Sequence, residues 1–296
     1  MVAGATVTVK NVATSVERSA QTGETGQYII PGLNPGIYDV TVTSAGFSKF
    51  LARVEVTVGG RTPLDPQLSV SNQATTVEVV AEGGTAINTQ TQELSQIIDS
   101  QQVAQLPSLT RNPYDFIALA GNVSNGDRTS QGGDQSTTGR GVNFAINGQR
   151  EAGTEVLLDG VENVDIFSAA FGEQIPIDAV QEFRVVTNNF DAQYGRASGG
   201  VVNLTTKSGS NAFHGSAWEF NRLSAYTANT FANAVAGAPK GTYTRNQFGY
   251  VIGGPIKKDK LFFFQSTEWT RVRSNAVLQA YVPTPQFLAL TSANTQ

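Results

Sequence analysis

Residues Ile175 to Asn211, IPIDAVQEFRVVTNNFDAQYGRASGGVVNLTTKSGSN, decide how this chain is built. The pattern predicts a short helical turn leading into a strand, then a turn at Tyr194-Gly195-Arg196. A glycine pair, Gly199-Gly200, opens a second strand that stops at Thr205-Thr206-Lys207. Little else along the chain carries chemistry. There is no Cys, His214 is the single His, and no nucleophile stands beside a base. Function therefore has to be read from architecture.

Composition narrows the classes. The 296 residues are enough for two domains, or for one domain with a piece of another. Charged residues are 15% and hydrophobic residues 40%, a balance that disfavours a disordered tail. A net charge of -4 argues against nucleic acid as a partner. Without Cys there is no disulfide framework and no thiolate metal site. No run approaches the roughly 18 apolar residues of a membrane helix. The alternating strands of a membrane β-barrel leave only weak signals and stay open. The chain starts inside a strand pattern, Ala5 to Lys10, with no signal peptide before it, and both ends read as cut.

Towards the N-terminus, residues 1–72 alternate with period two. Val7 and Val9 face one way, as do Tyr38, Val40 and Val42, and then Val54, Val56 and Val58. Thr25-Gly26-Gln27, Asn34-Pro35-Gly36 and Gly59-Gly60 supply turn chemistry between them. Short strands at this spacing predict a small β-sandwich. Residues 73–91 have linker composition, with one strand former, Thr76 to Ala81, inside it.

Residues 92–207 mix helices and strands. Asp99 and Gln102 form a capping-box pattern, with Val103 and Leu106 apolar and Pro107 beyond the helix end. Asn112-Pro113 starts a second helix whose Phe116, Ile117 and Leu119 are expected to be buried, with Gly121 at its end. A polar, Gly-rich loop spans 122–141. Phe144, Ile146, Val156 and Leu158 then mark short strands, with Asn147-Gly148 as a turn. From 208 to 296 the strands lengthen and carry aromatic faces: Trp218 with Phe220, then Phe248, Tyr250 and Ile252, then Leu261, Phe263 and Trp269. The connection at Gly254 to Asp259 is short and that from Arg222 to Arg245 is long. Outer-membrane barrels show this asymmetry.

The wording TGETGQYIIPGLNPGIYDVTVTSAGF (22–47) resembles the carboxypeptidase regulatory-like module, which carries no peptidase residues. In that resemblance Tyr28 and Leu33 belong to the core, and the module's usual first strand is missing. QVAQLPSLTRNPYDFIALAGNV, VLLDGVEN, QYGRASGGVVNLTTK and FGYVIGGPIKKDKLFFFQSTEW, in this order, resemble the TonB-dependent outer-membrane receptors, in particular the Oar-like group with such a module. The resemblance implies a mainly β chain: an N-terminal β-sandwich, an α+β plug, and the first strands of an incomplete transmembrane β-barrel. The plug would end on the last two strands of the opening segment, with Gly195, Gly199 and Gly200 serving tight turns and close backbone packing.

It also implies an outer-membrane location, with the module and plug base facing the periplasm, and energised uptake driven by TonB. In the family a flexible strand, the TonB box, pairs with TonB by strand addition. Thr76, Val77, Glu78, Val79, Val80 and Ala81 are the candidates here, and Val77–Val80 equally fits a last sandwich strand. Arg128, Asp134 and Arg140 are candidate ligand contacts in a loop that also fits plain solvated surface. Outer-membrane lipid and a small ligand, saccharide or peptide are the other expected partners. No cofactor, metal or catalytic residue is expected, and Asp159, followed by Gly160, reads as a turn residue. The rival reading is an outer-membrane structural or adhesion protein on the same scaffold without energised transport.

Overall fold

The computed structural model describes residues 1–70, 78–80, 92–108, 111–125, 144–165, 170–229, 231–235, 237–274 and 284–289. The chain divides into two compact units, residues 1–216 with 251–267, and residues 217–250 with 268–296.

The N-terminal module is a sheet of β1 (Thr6–Asn11), β2 (Glu17–Gln21), β3 (Gly36–Thr43), β4 (Phe50–Val56) and β5 (Glu78–Val80), in the order β2-β1-β3-β4-β5. Alternation does the work expected of it. Val7, Val9, Tyr38, Val40, Val42, Phe50, Ala52 and Val54 all point into one core, and the residues between them do not. The second layer is extended chain rather than a ladder of strands. Tyr28, Ile30, Leu33, Leu64 and Leu68 lie half-buried on the sheet, and the Tyr28 hydroxyl donates to the Leu64 carbonyl at 2.9 Å. The alternation breaks at one point. β4 ends at Val56, and Val58 leaves the sheet yet stays buried, at 6% exposure.

The plug begins with β6 (Leu94–Ile98) and α1 (Ser100–Gln105). Both halves of the capping box form. The Asp99 carboxylate accepts from the Gln102 N–H at 2.8 Å, and the Gln102 side chain accepts from the Asp99 N–H at 3.2 Å. Val103 is buried, but Leu106 sits at the C-cap and is exposed. The helix capped by Asn112 is a 3-10 turn, Pro113–Leu119, not an α-helix. It buries Tyr114, Phe116 and Ile117 and leaves Leu119 exposed, because three residues per turn bring a different set to the inner face. Asn122, and not Gly121, takes the left-handed conformation after it.

β7 (Val123–Asn125) and β8 (Phe144–Ile146) pair with each other. β9 (Thr154–Leu158), β10 (Val161–Glu162), β11 (Val180–Asn188) and β12 (Gly200–Thr206) join β6 in a sheet of order β10-β9-β12-β11-β6. Only β9 and β12 run parallel; the other pairs are antiparallel. Phe183, Val185, Val202 and Leu204, together with Ile98 of β6 and Val156 of β9, form one face of this sheet, packed in a core with Ile117 and Ile146. Each fully buried side chain of this size contributes about 1.5–3 kcal/mol.

The last strands are β13 (His214–Leu223), β14 (Tyr243–Lys257) and β15 (Leu261–Ser274), hydrogen-bonded in the order β13-β14-β15, with short helices α2 (Phe231–Val235) and α3 (Pro285–Ala289). In β14 the buried positions are Gln247, Gly249, Val251, Gly253 and Gly254, and the alternate positions Phe248, Tyr250 and Ile252 form the other face. Phe248 and Tyr250 pack on Trp269, at 5.6 and 6.2 Å between ring centroids. Trp218 belongs with the polar face instead, its indole N–H donating to Glu268 at 2.9 Å, and Gln247 donates to the same carboxylate. Three strands cannot close a barrel, and among the described residues none closes.

Candidate functional site

β11 carries an informative violation of strand patterning. Phe183 and Val185 enter the core, so Glu182 and Arg184 must point to the opposite face. They are nonetheless buried, at 6% and 4% exposure. The cover is the segment Thr57–Arg61 that leaves the end of β4. The Val58 N–H donates to the Glu182 carboxylate, and Arg184 Nη1 donates to the Val58 carbonyl at 3.5 Å. Gly59 lies in the left-handed region at φ 58° against the Asn203 amide and Tyr194 hydroxyl, where a side chain would meet Asn203 at 2.9 Å. Arg61 reaches Asp191 at 3.2 Å in an exposed pair.

Glu93, just before β6, completes the site. Its carboxylate holds Arg184 Nη2 at 2.7 Å, with both side chains about 5–6% exposed. The guanidinium thus pairs with Glu93, and Glu182 lies two residues before it on the same strand face of a solvent-poor seam, accepting from the Val58 N–H. Burial pushes the Glu182 carboxyl up to about 7, aided by the nearby Glu55 and Asp99 charges and opposed by the Val58 hydrogen bond and Arg184. Burial also raises Tyr194, next to Glu93.

A second set of polar contacts staples the plug internally. Asp159, at φ 50°, accepts the Thr206 N–H and hydroxyl, each at 2.8 Å, which ties the β9–β10 turn to the end of β12. Asn163 donates to the Tyr114 hydroxyl at 2.7 Å and to the Glu173 carbonyl at 2.9 Å, and accepts the Glu173 N–H at 2.8 Å. Tyr114 also stacks on Phe171 at 3.8 Å, and burial pushes its phenol up to about 12. Arg111 pairs with Asp178, whose carbonyl accepts Lys207 Nζ at 2.8 Å. These groups position backbone.

The expected site residues fall differently. Arg128, Asp134 and Arg140 lie outside the described residues, as do Thr76, Val77 and Ala81. Glu78, Val79 and Val80 form β5 and pair in parallel with Leu51, Ala52 and Arg53 at the sheet edge. Tyr194 and Arg196 have structural neighbours: Tyr194 borders the seam, and Arg196 pairs with Glu162. Gly199 and Gly200 are needed for close packing. A Cβ on Gly200 would sit 2.8 Å from Ile146 Cδ1 and 2.9 Å from the Val186 carbonyl. Gly195 has no such need, since a Cβ there meets nothing within 4 Å and its φ is not positive. His214 opens β13, with Nδ1 3.1 Å from the Ala212 carbonyl, and among the described residues no group of side chains could hold a metal.

The seam itself was hidden from sequence reasoning. Glu182 and Arg184 alternate with apolar residues as they would on a strand wetted on one side, and Gly59-Gly60 looks like an ordinary turn. A cleft of 1810 Å³ borders the seam, lined by module side chains such as Tyr28, Ile30 and Leu64 and by Asp159 and Asn203.

Two family models match the chain: a carboxypeptidase regulatory-like domain over residues 1–69 and an outer membrane beta barrel domain over residues 205–294. The TonB-dependent transporter Oar of Myxococcus xanthus is 25% identical to it across 89% of this chain. The chain spans 25% of that relative's length. Among solved structures, the siderophore receptor PirA of Acinetobacter baumannii is similar with a TM-score of 0.43 at 20% identity, covering 60% of this chain and 24% of that one. A ferric enterobactin receptor of Pseudomonas aeruginosa is similar with a TM-score of 0.37 at 21% identity, covering 55% and 22% respectively.

Proposed function

We propose that this chain, similar to a TonB-dependent transporter and matching a regulatory-like and an outer membrane beta barrel domain, forms the N-terminal module, TonB-binding strand, plug and first barrel strands of a transporter. That transporter takes up its ligand with energy delivered through TonB. The observation that carries this reading is the similarity to a TonB-dependent transporter along 89% of the chain. The domain limits remain those of the sequence reading, 1–72, 73–91, 92–207 and 208–296. The outer membrane has no ATP supply, so a plug that blocks the pore is moved from the inner-membrane side.

Local geometry supports the orientation. Asn211 donates its N–H to the Ala13 carbonyl of the module at 3.0 Å, and its side chain exchanges two hydrogen bonds of 2.8 Å with Asp259. Asp259 lies in the tight turn between β14 and β15, whereas β13 and β14 are joined by a long connection. Short turns of such barrels face the periplasm. The module and plug base therefore belong on the periplasmic side, within reach of TonB.

The strand offered to TonB is Thr76 to Ala81. Its middle, β5, is a three-residue edge strand with one free side among the described residues. Such an edge pairs readily with an added strand. The ligand, an iron chelate, vitamin, saccharide or peptide, would meet the 122–141 loop through Arg128, Asp134 and Arg140. The expected outcome of deleting Thr76–Ala81 from the full-length receptor is loss of binding to the purified periplasmic domain of TonB, with barrel insertion intact. Undiminished TonB binding by the deletion variant would overturn the assignment. Binding that survives in neither protein would favour the adhesion reading.

A further inference from the structure

At the seam between module and plug, one short loop lies over one charged site. Thr57–Arg61 contributes the Val58 N–H and carbonyl to Glu182 and Arg184, and Gly59 allows the loop to lie flat against Asn203 and Tyr194. The outer pair Arg61–Asp191 is mostly solvated, so it adds little. What the loop covers is unbalanced. Glu93 and Glu182 carry two negative charges against the single positive charge of Arg184, and all three side chains are nearly excluded from water. Burying a net charge is costly, and one added proton removes it.

We propose that the Thr57–Arg61 loop and the Glu93–Glu182–Arg184 site form a proton-controlled latch that holds the N-terminal module on the plug. Undocking returns Glu182 to water, where it ionises as an ordinary carboxylate. Docking encloses it with Glu55 at the end of β4, Asp99 at the cap of α1, and Arg184 beside it on β11. The docked state therefore keeps a proton that the undocked state gives up. With the docked carboxyl raised to about 7 from an ordinary 4.5, docking is tightest at low pH. It weakens as pH rises through this window, by up to about ten-fold per pH unit, and is flat beyond it. Glu93 holds Arg184 Nη2 at 2.7 Å, which keeps the guanidinium aimed at the loop. The latch is a property of this chain's own contacts and does not depend on the transport reading.

Amide hydrogen exchange on the full-length protein in detergent micelles tests it. The readout is the protection of the 57–61 amides, corrected for the intrinsic pH dependence of exchange. Protection is expected to fall at least about ten-fold between about pH 5 and about pH 8. Glu182→Gln keeps an oxygen for the Val58 N–H but cannot titrate, so its protection should be high and independent of pH. Glu182→Leu should lose it throughout. The β12 amides serve as the folding control and should be unaltered in both variants. Flat protection in the unmodified protein overturns the proposal, and so does an equal fall in Glu182→Gln. Loss of β12 protection in Glu182→Leu leaves the decision to the Gln variant, which keeps the hydrogen bond.

Discussion

Two glycines five residues apart, Gly195 in the turn and Gly200 at the start of β12, behave oppositely. Gly200 is pressed between the Ile146 side chain and the Val186 carbonyl, so even a methyl group has no space there. Gly195 faces open space with an unremarkable backbone. Gly200→Ala should destabilise the plug by about 1–3 kcal/mol, the usual cost of overpacking. Gly195→Ala should leave it unchanged. Exchange protection of β11 and β12 in the two variants measures the difference. The glycine-rich motif was legible in the sequence, but which glycine is indispensable was not. That depends on Ile146, far away along the chain. Asp159 shows the same limit: its turn role was readable from Gly160, whereas its two bonds to Thr206 were not.

Elements follow local chemistry where that chemistry is self-contained. The capping box of α1 involves only Asp99 and Gln102, and both bonds form. Asp99→Ala should therefore cost about 1 kcal/mol of local stability, seen as faster exchange of the Gln102 and Val103 amides. The Asn112-Pro113 start was equally local and correct. The choice of 3-10 over α for Pro113–Leu119 was not local. Tyr114 must reach Asn163 and stack on Phe171, which sets the pitch by contacts with a distant segment. The end of β4 is a similar case. Period-two patterning runs on through Val58, but the Val58 N–H is claimed by Glu182, 124 residues away, and the strand stops at Val56.

At the scale of the molecule, alternation in β14 separates a polar, small-residue face from an aromatic one. In a barrel wall the aromatic face meets lipid and the other faces the lumen. Ile252, on the aromatic face and 41% exposed, is the residue expected to meet lipid on the proposed reading. Ile252→Lys should destabilise the inserted full-length protein by about 2–4 kcal/mol if that residue lies near the bilayer midplane. Ile252→Phe should be neutral. Urea unfolding from lipid vesicles reads both.

By itself the sequence determined the class of each piece: a β module, a mixed α+β plug, and long aromatic strands with one tight turn. Hydrophobic periodicity, caps and turn residues act over a few positions, so they survive in a linear reading. Only the tertiary structure decided that the module sits on the plug through Thr57–Arg61, and that Glu182 and Arg184 are buried rather than wet. Burial depends on what covers a face. Here the cover comes from residues more than a hundred positions away, at a distance where local pattern carries no information.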